Sequence, residues 1–188
     1  MVSCSGETFE RADFSGKRFE RGEYEDCLFR ACEFSEATLN GSIFIDCRFE
    51  DCNLSLVSVS QTAFRNVRFD TCKMLGILFE NANPSGMELR FSLCRLDHSS
   101  FAGLKLKKTM FGNCSLQEVD FTSADLSESL FDDCDFRDAR FERTNLSKAD
   151  LRLARNLFLR PEDNLLRGAR FSLQDLPGLL SHYGIRVD

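Results

Sequence analysis

The chain has 188 residues, a formal net charge of −6 and a pI near 5.1; it has 19 Phe, 2 Tyr and no Trp. This acidic balance lacks the basic footprint of nucleic-acid-binding proteins, so we expect no direct binding to nucleic acid. No run approaches the roughly 20 apolar residues of a membrane span, and the first residues lack the basic and then apolar run of a secretory signal. We therefore expect no membrane association and a cytoplasmic location.

A large apolar residue recurs at every fifth position of the chain. These positions run from Phe9 to Phe79 and, after a break, from Leu96 to Leu151, and all 27 are apolar. The residue two positions earlier is small or apolar in most units, and the other three are mostly polar. A period of five matches neither a helix nor a flat strand, so it indicates a repeat with two inward and three outward side chains.

Eight of the nine cysteines, all except Cys4, occupy the small inward position. There they alternate freely with Ala, Ser, Thr and Val, which indicates a compact core residue more than a metal or redox group. No C-x-x-C motif occurs, and a reducing compartment argues against disulfide bonds.

The five-residue pattern resembles that of the pentapeptide-repeat family over about residues 7–153. Ala-Asp-Leu-Ser-Glu at 124–128 and Ala-Asp-Leu-Arg-Leu at 149–153 are close copies of the family unit. The resemblance implies an all-β fold, a right-handed, four-sided parallel β-helix with four units in each coil. Residues 20 apart should then stack, and we expect Phe29 to lie directly on Phe49.

The repeat changes frame between residues 80 and 95. Twelve residues separate Phe79 from Phe91, two more than two repeats, and Pro84 falls where a large apolar residue is expected. The insertion is interpreted either as a tolerated surface bulge or as a projecting contact.

The C-terminal segment departs from the repeat. We divide the chain into a solenoid over 1–153 and a tail over 154–188, which holds the last coil and a short capping α-helix with Ser172 as its N-cap and Gly184 as its C-cap. The helix either only covers the last core layer or also joins two copies of the chain. The residues assigned to a homodimer contact are Phe171, Leu176, Leu179, Leu180 and Tyr183.

Two segments resemble one particular branch of the family. Residues 74–77 and 179–185 are similar to the matching parts of the Qnr and MfpA proteins, the fluoroquinolone-resistance branch of the family. The first block is closer to MfpA, because it lacks the projecting loops of Qnr proteins. The resemblance implies a homodimer joined through its C-terminal ends. It also implies that the rod mimics DNA, binds a type II topoisomerase (DNA gyrase or topoisomerase IV), and changes its activity or quinolone sensitivity.

Charge is unevenly distributed along the sequence. The formal charge is −6 over residues 1–54, +4 over 55–114, −6 over 115–150 and +2 over 151–188. An acidic surface near the dimer centre would attract a basic DNA-binding surface. The alternative is that outward carboxylates only keep the rod hydrated. The residues assigned to the partner-binding acidic surface are Glu118, Asp120, Asp125, Glu128, Asp132, Asp133, Asp135, Asp138 and Asp150.

Catalytic motifs are missing from the sequence. It has no G-x-S-x-G, Walker, H-E-x-x-H or Rossmann glycine pattern, and its two histidines, His98 and His182, have no nucleophile at a meaningful spacing. We therefore predict that the protein is not an enzyme, with no catalytic, metal or cofactor-binding residues. The alternative function is a repeat module that binds an unrelated protein partner.

Overall fold

The computed structural model describes residues 2–185, and these form a right-handed, four-sided parallel β-helix with one short α-helix near the C-terminus. The predicted fold class is therefore confirmed. The strands are β1 (Val2–Ser5), β2 (Thr8–Glu10), β3 (Gly22–Glu25), β4 (Leu28–Arg30), β5 (Ile43–Ile45), β6 (Arg48–Glu50), β7 (Ala63–Arg65), β8 (Val67–Asp70), β9 (Leu89–Ser92), β10 (Met110–Gly112) and β11 (Leu130–Asp132).

We number the four sides in chain order. Side 1 carries the seven-stranded parallel sheet β2-β4-β6-β8-β9-β10-β11. Side 2 is the column of bridges from Asp13 to Arg155, and side 3 is the column from Arg18 to Arg140. Side 4 carries the four-stranded parallel sheet β1-β3-β5-β7, and its column continues to Leu165.

The core is a set of aromatic stacks along the axis. Phe29 and Phe49 lie face to face, with ring centroids 4.6 Å apart and an interplanar angle of 11°. On the same side, Phe91, Phe111 and Phe131 repeat the arrangement at 5.0 and 5.1 Å. These distances match the ordinary spacing of hydrogen-bonded strands, because each ring is carried by successive layers of one sheet. The predicted stacking at 20 residues is thus confirmed.

Most corners are turned by the residue two positions after the large inward side chain, which has a positive φ. Asp26 and Glu36, for example, have φ of 50° and 56°, in the left-handed region. This conformation costs a non-glycine residue roughly 1–2 kcal/mol. The amides of both residues donate to a carbonyl of the next coil at 2.9 Å, so the corner also continues the ladder of backbone hydrogen bonds.

The small inward position places a donor against the backbone. Cys52 Sγ donates to the carbonyl oxygen of Phe29 at 3.3 Å, and Ser129 Oγ and Thr144 Oγ1 make the equivalent bond at 3.0 and 2.8 Å. The thiols therefore act like the hydroxyls that replace them. Six cysteines form one column on side 2, all buried and all free: Cys32, Cys52, Cys72, Cys94, Cys114 and Cys134.

The frame change is a two-residue bulge on side 4. Bridges connect residues 20 apart up to Asn83. The pairs that span the insertion, from Val67 with Leu89 to Leu78 with Ser100, are 22 apart, and later pairs are 20 apart again. Pro84 is exposed, and Met87 packs against the core in its place. Gly86 turns the bulge with φ of 71°. Because the extra residues are absorbed within one side, the stacks continue across the bulge without interruption.

The solenoid continues past residue 153, since Asp150 bridges to Arg170. The tail then forms a 3-10 turn at Leu173–Asp175, helix α1 at Leu176–Leu180 and a second 3-10 turn at Ser181–Tyr183. Two further 3-10 turns lie at Phe79–Asn81 and Pro161–Asp163.

The two predicted cap residues bound the 3-10 turns of the tail, whereas helix α1 itself is bounded by Asp175 and Ser181. Ser172 forms a capping box with Asp175, and Gly184 ends the last turn with φ of 68°. The regular α-helical part is shorter than the apolar stripe suggested, because Pro177 has no amide hydrogen to donate to the preceding turn.

Candidate functional site

The nine carboxylates predicted to form one acidic surface lie on all four sides of the rod. The columns of bridges place Asp132 and Asp150 on side 1, Asp135 on side 2, Asp120 on side 3 and Asp125 on side 4. The other four turn corners in the left-handed conformation, namely Glu118, Glu128, Asp133 and Asp138. The structure therefore does not bring the nine together.

Basic side chains neutralise three of the nine carboxylates. Lys107 Nζ lies 2.9 Å from Glu128 and its hydrogen bond lowers the pKa of that carboxyl. Arg155 pairs with Asp133 at 2.9 Å. Two arginines contact Asp150, with Arg152 at 2.7 Å and Arg170 at 3.3 Å. These three carboxylates contribute little net field to the surface.

Two other carboxylates serve the backbone and neighbouring amide side chains. Asp125 accepts from Asn145 Nδ2 at 2.9 Å. Burial alone would raise the pKa of Asp135, but hydrogen bonds from Asn156, Arg137 and Gln117 lower it overall. Both positions stabilise the stacked coils.

An acidic groove remains at the corner between sides 2 and 3. Glu118, Asp120 and Asp138 line a shallow depression of about 510 Å³ together with Arg140. His98 Nδ1 lies 3.3 Å from Glu118. Within residues 2–185, no Lys or Arg nitrogen comes within 4.0 Å of these three carboxylates. We call these three residues the acidic groove.

A second acidic cluster, which the sequence analysis did not single out, lies on side 4 near the N-terminus. Glu23 and Glu25 project from β3 on either side of the buried Tyr24. Asp26 and Asp46 turn successive corners beside them. The 20-residue spacing of Asp26 and Asp46 is the signal that could have located this cluster.

The residues predicted to form the dimer contact differ in their solvent exposure. Leu179 is only 8% exposed and belongs to the chain's own core, while Phe171 packs against that core. Leu180 is half-buried. Leu176 and Tyr183 are 38% and 54% exposed, so they are the members of the set that a second copy could reach.

Further exposed apolar side chains accumulate at the C-terminal part of the chain, beyond those predicted. Leu173 is 85% exposed, and the others are between 54% and 62% exposed. Leu153, Phe158 and Leu165 were missed because the sequence analysis followed the helix stripe and not the outward positions of the last coil. The additional residues are Leu153, Phe158, Leu165, Leu173 and Ile185.

Glu162 anchors the end of the tail to the last coil. Its carboxylate lies 2.8 Å from His182 Nε2 and accepts a hydrogen bond from Tyr183 Oη at 3.0 Å. That hydrogen bond raises the pKa of Tyr183. The contact fixes the exposed Tyr183 ring relative to helix α1.

Within residues 2–185, buried side chains fill the interior of the β-helix. The depressions found in the described part of the chain are open grooves on the surface, lined by outward residues and strand backbone. Among residues 2–185, no three His, Cys, Asp or Glu side chains are grouped to hold a metal ion. The same residues include no helix long and apolar enough to cross a membrane. The surfaces, and not the interior, are where this fold can bind a partner.

Comparison with known proteins gives a family and a fold. A family model described as "Pentapeptide repeat region" matches residues 22–92 and 78–151. No curated protein is similar enough to be matched. A trypsin-treated form of QnrB1, a plasmid-mediated fluoroquinolone resistance protein, is similar in structure with a TM-score of 0.64 and 19% identity, covering 100% of this chain and 99% of that chain. HetL is more distant, with a TM-score of 0.45 and 16% identity, covering 92% of this chain and 85% of its own. It is involved in heterocyst differentiation regulation in the cyanobacterium Nostoc sp. strain PCC 7120.

Proposed function

Because this chain belongs to the pentapeptide-repeat family, we propose that it is a DNA-mimicking rod that binds a type II topoisomerase, DNA gyrase or topoisomerase IV. The rod occupies the enzyme surface that otherwise holds DNA and changes supercoiling activity or quinolone sensitivity. It acts in the cytoplasm, by contact and without catalysis. QnrB1, which shares its fold, is described as a fluoroquinolone resistance protein.

The acidic groove is the observation that carries this proposal. Glu118, Asp120 and Asp138 present charge at the corner of a rod whose layers are spaced like stacked strands. A basic surface built to grip phosphates would be attracted to carboxylates that have no Lys or Arg within 4.0 Å. Elsewhere in residues 115–150, ion pairs with Lys or Arg neutralise Glu128, Asp133 and Asp150.

The C-terminal end supports the dimer that the proposal includes. Leu176 and Tyr183 are exposed apolar side chains near the C-terminal end that a second copy could bury. Joining two rods at this end places one acidic groove on each side of the centre. The dimer would then present two acidic regions to a two-fold symmetric enzyme.

A supercoiling assay tests the proposal directly. Purified protein is added to DNA gyrase with relaxed plasmid, with and without ciprofloxacin. We expect inhibition of supercoiling, or relief of quinolone-stabilised cleavage, at micromolar protein. An unchanged reaction in both assays at that concentration would refute topoisomerase binding.

Two variants of equal charge locate the contact. In the first, Glu118→Gln, Asp120→Asn and Asp138→Asn remove the acidic groove. In the control, Glu128→Gln, Asp133→Asn and Asp150→Asn remove the same formal charge from carboxylates that are already paired. The first variant should require at least a tenfold higher protein concentration for the same effect on gyrase. The control variant should require a much smaller increase.

The second candidate function is a repeat module for an unrelated protein partner. The nine carboxylates are spread over four sides. This spread favours the repeat module, because a DNA mimic requires its negative charge on one surface. Affinity capture from a cell lysate separates the two candidates. Recovery of a partner other than gyrase or topoisomerase IV, with no effect on supercoiling, would support the module.

A further inference from the structure

Three arginines form a basic ladder on side 1. Arg48, Arg68 and Arg90 are directly opposite one another on β6, β8 and β9. All three are exposed, and the rings beneath them are stacked at 5.0 and 5.5 Å. We call these three residues the basic ladder.

The ladder is poorly neutralised by the protein itself. Arg90 pairs with Glu88 at 3.2 Å, and both of these side chains are open to solvent. Neither Arg48 nor Arg68 has a carboxylate within 4.0 Å among residues 2–185. Like charges directly opposite each other on neighbouring strands destabilise a sheet. The stability of the sheet therefore does not explain why three arginines lie opposite one another.

An apolar wall continues the ladder along the same column. Arg90 is in register with Met110, and Met110 with Leu130. These two apolar side chains are 47% and 37% exposed. Together with Arg68 they line one groove of about 410 Å³ on the face of the sheet. Basic and apolar contacts thus follow one another along a single wall.

The opposite wall of the groove is lower. It is formed by Asp70, Ser92, Gly112 and Asp132. At Gly112 an added Cβ would meet only a backbone oxygen at 4.0 Å, so the fold does not require glycine there. The missing side chain leaves the groove open beside its apolar half.

We propose that this side 1 groove binds an extended segment of a partner protein in which acidic residues are followed by apolar ones. Guanidinium groups bind carboxylates through paired hydrogen bonds, and Arg68 and Arg90 offer two such groups on adjacent layers. The exposed Met110 and Leu130 provide contacts for the apolar residues.

The dimensions fit a short extended peptide. From Arg68 to Leu130 there are three steps between layers, about 14 Å at the usual strand spacing, which four or five extended residues span. The two walls arise from residues two apart in each strand, roughly 7 Å, which is enough for one chain. Alternate side chains of the segment would face the ladder wall.

Charge separates this occupant from a nucleic acid. Asp132 lies in the apolar half of the groove and would repel phosphates that continue past the arginines, whereas the acidic residues of the proposed segment end there. The apolar half of the wall offers nothing to a sugar-phosphate backbone. The surface is distinct from the acidic groove, so its role does not depend on the topoisomerase proposal.

Fluorescence anisotropy with defined probes tests the inference. The probes are fluorescein-labelled Gly-Asp-Ser-Glu-Ser-Leu-Ser-Leu-Gly and the same peptide in reverse order, added to the full chain at low and moderate salt. A peptide with Lys in place of the acids and a labelled 12-nucleotide single-stranded DNA serve as comparisons. We expect at least one acidic peptide to bind tenfold more tightly than both comparisons, and more weakly as salt is raised.

Matched variants identify the groove. Arg68→Gln with Arg90→Gln should raise the Kd at least tenfold, and so should Gly112→Leu, which fills the groove without altering its charge. The control, Arg18→Gln with Arg167→Gln, removes two exposed arginines from other columns and should leave the Kd within twofold. Circular dichroism melting of each variant verifies that the fold is intact.

Three results would overturn the inference. One is the absence of saturable binding by either acidic peptide. Another is an equal loss of affinity in the control variant, which would indicate unspecific attraction to positive charge. The third is preferential binding of the DNA probe, which would assign the ladder to nucleic acid.

Discussion

Raising the pH from 8 to 10 should weaken the fold through its buried thiols. Cys47, Cys94 and Cys114 each lie against a backbone carbonyl oxygen, at 3.2, 3.4 and 3.3 Å. Burial raises the pKa of Cys47 to about 12. For Cys94 and Cys114, the next thiol along the column and then burial raise the pKa to about 12. All three thiols therefore stay protonated at pH 10 in the folded chain.

The direction and size of the effect follow from proton linkage. In the unfolded chain these thiols ionise near their ordinary value of 9.0, so at pH 10 the unfolded state binds fewer protons than the folded state. Stability is complete below that pH and is lost as the pH rises toward 12. Between pH 8 and 10 each thiol accounts for about 1.4 kcal/mol, and the three together for about 4 kcal/mol. This is a large part of the ~5–15 kcal/mol that stabilises an ordinary domain.

Urea denaturation at pH 8 and pH 10 measures the loss of unfolding free energy. The comparison variant carries Cys47→Ser, Cys94→Ser and Cys114→Ser, since serine already occupies the same slot elsewhere and donates to the same type of carbonyl, as Ser129 does at 3.0 Å. The variant should lose about 4 kcal/mol less than the natural chain over this pH range. Equal losses in the two proteins would mean that the thiols ionise normally and that the reasoning is wrong.

Three further predictions concern the core and the tail. Phe111→Ala removes a fully buried ring stacked at 5.0 and 5.1 Å and should cost about 3–5 kcal/mol of unfolding free energy in urea titrations, with Phe111→Leu costing less. Leu176→Glu with Tyr183→Glu should give monomers in analytical ultracentrifugation with the β-helix retained by circular dichroism, and a surviving dimer would place the interface elsewhere. Gly178→Ala should lower the melting temperature by several degrees, because its new Cβ would fall on the Leu157 carbonyl oxygen.

The fold could be predicted from the sequence because every five-residue unit has the same pattern of inward and outward side chains. Phe29 and Phe49 occupy equivalent positions in successive coils, so one pattern specifies both the inward direction and the stacking. Ser172 and Gly184 likewise carry local capping chemistry that needs no long-range information. These predictions succeed because each depends on residues close in sequence or separated by the fixed coil length.

The position of the bulge could not be predicted from the repeat pattern. The sequence separates two cysteine sets, 32–72 and 94–134, because the frame changes between them. In the structure the two extra residues are absorbed at 84–88, and Cys72 lies next to Cys94 in one column. Where an insertion bulges depends on packing of the whole coil, which no single unit encodes.

The acidic surface was harder to predict for a different reason. Charge counts along the chain sum over all four sides, whereas a partner meets one side at a time. Glu128 and Asp133 look equivalent to Glu118 in the sequence, but the first two are paired with bases about one coil away. Only the 20-residue register reveals such pairs.

Because the four sides face different directions, one solenoid can carry several distinct surfaces. The two inward positions of each unit are constrained by stacking, while the three outward positions need only tolerate water or turn a corner. The outward residues of one column can therefore change sign along the axis, as on side 1, where Arg68 and Arg90 give way to Met110 and Leu130. On side 4, by contrast, acids such as Glu23 gather near the N-terminus. A partner of such a rod would therefore be selected by which side faces it and by how far along the axis it binds, and not by net charge.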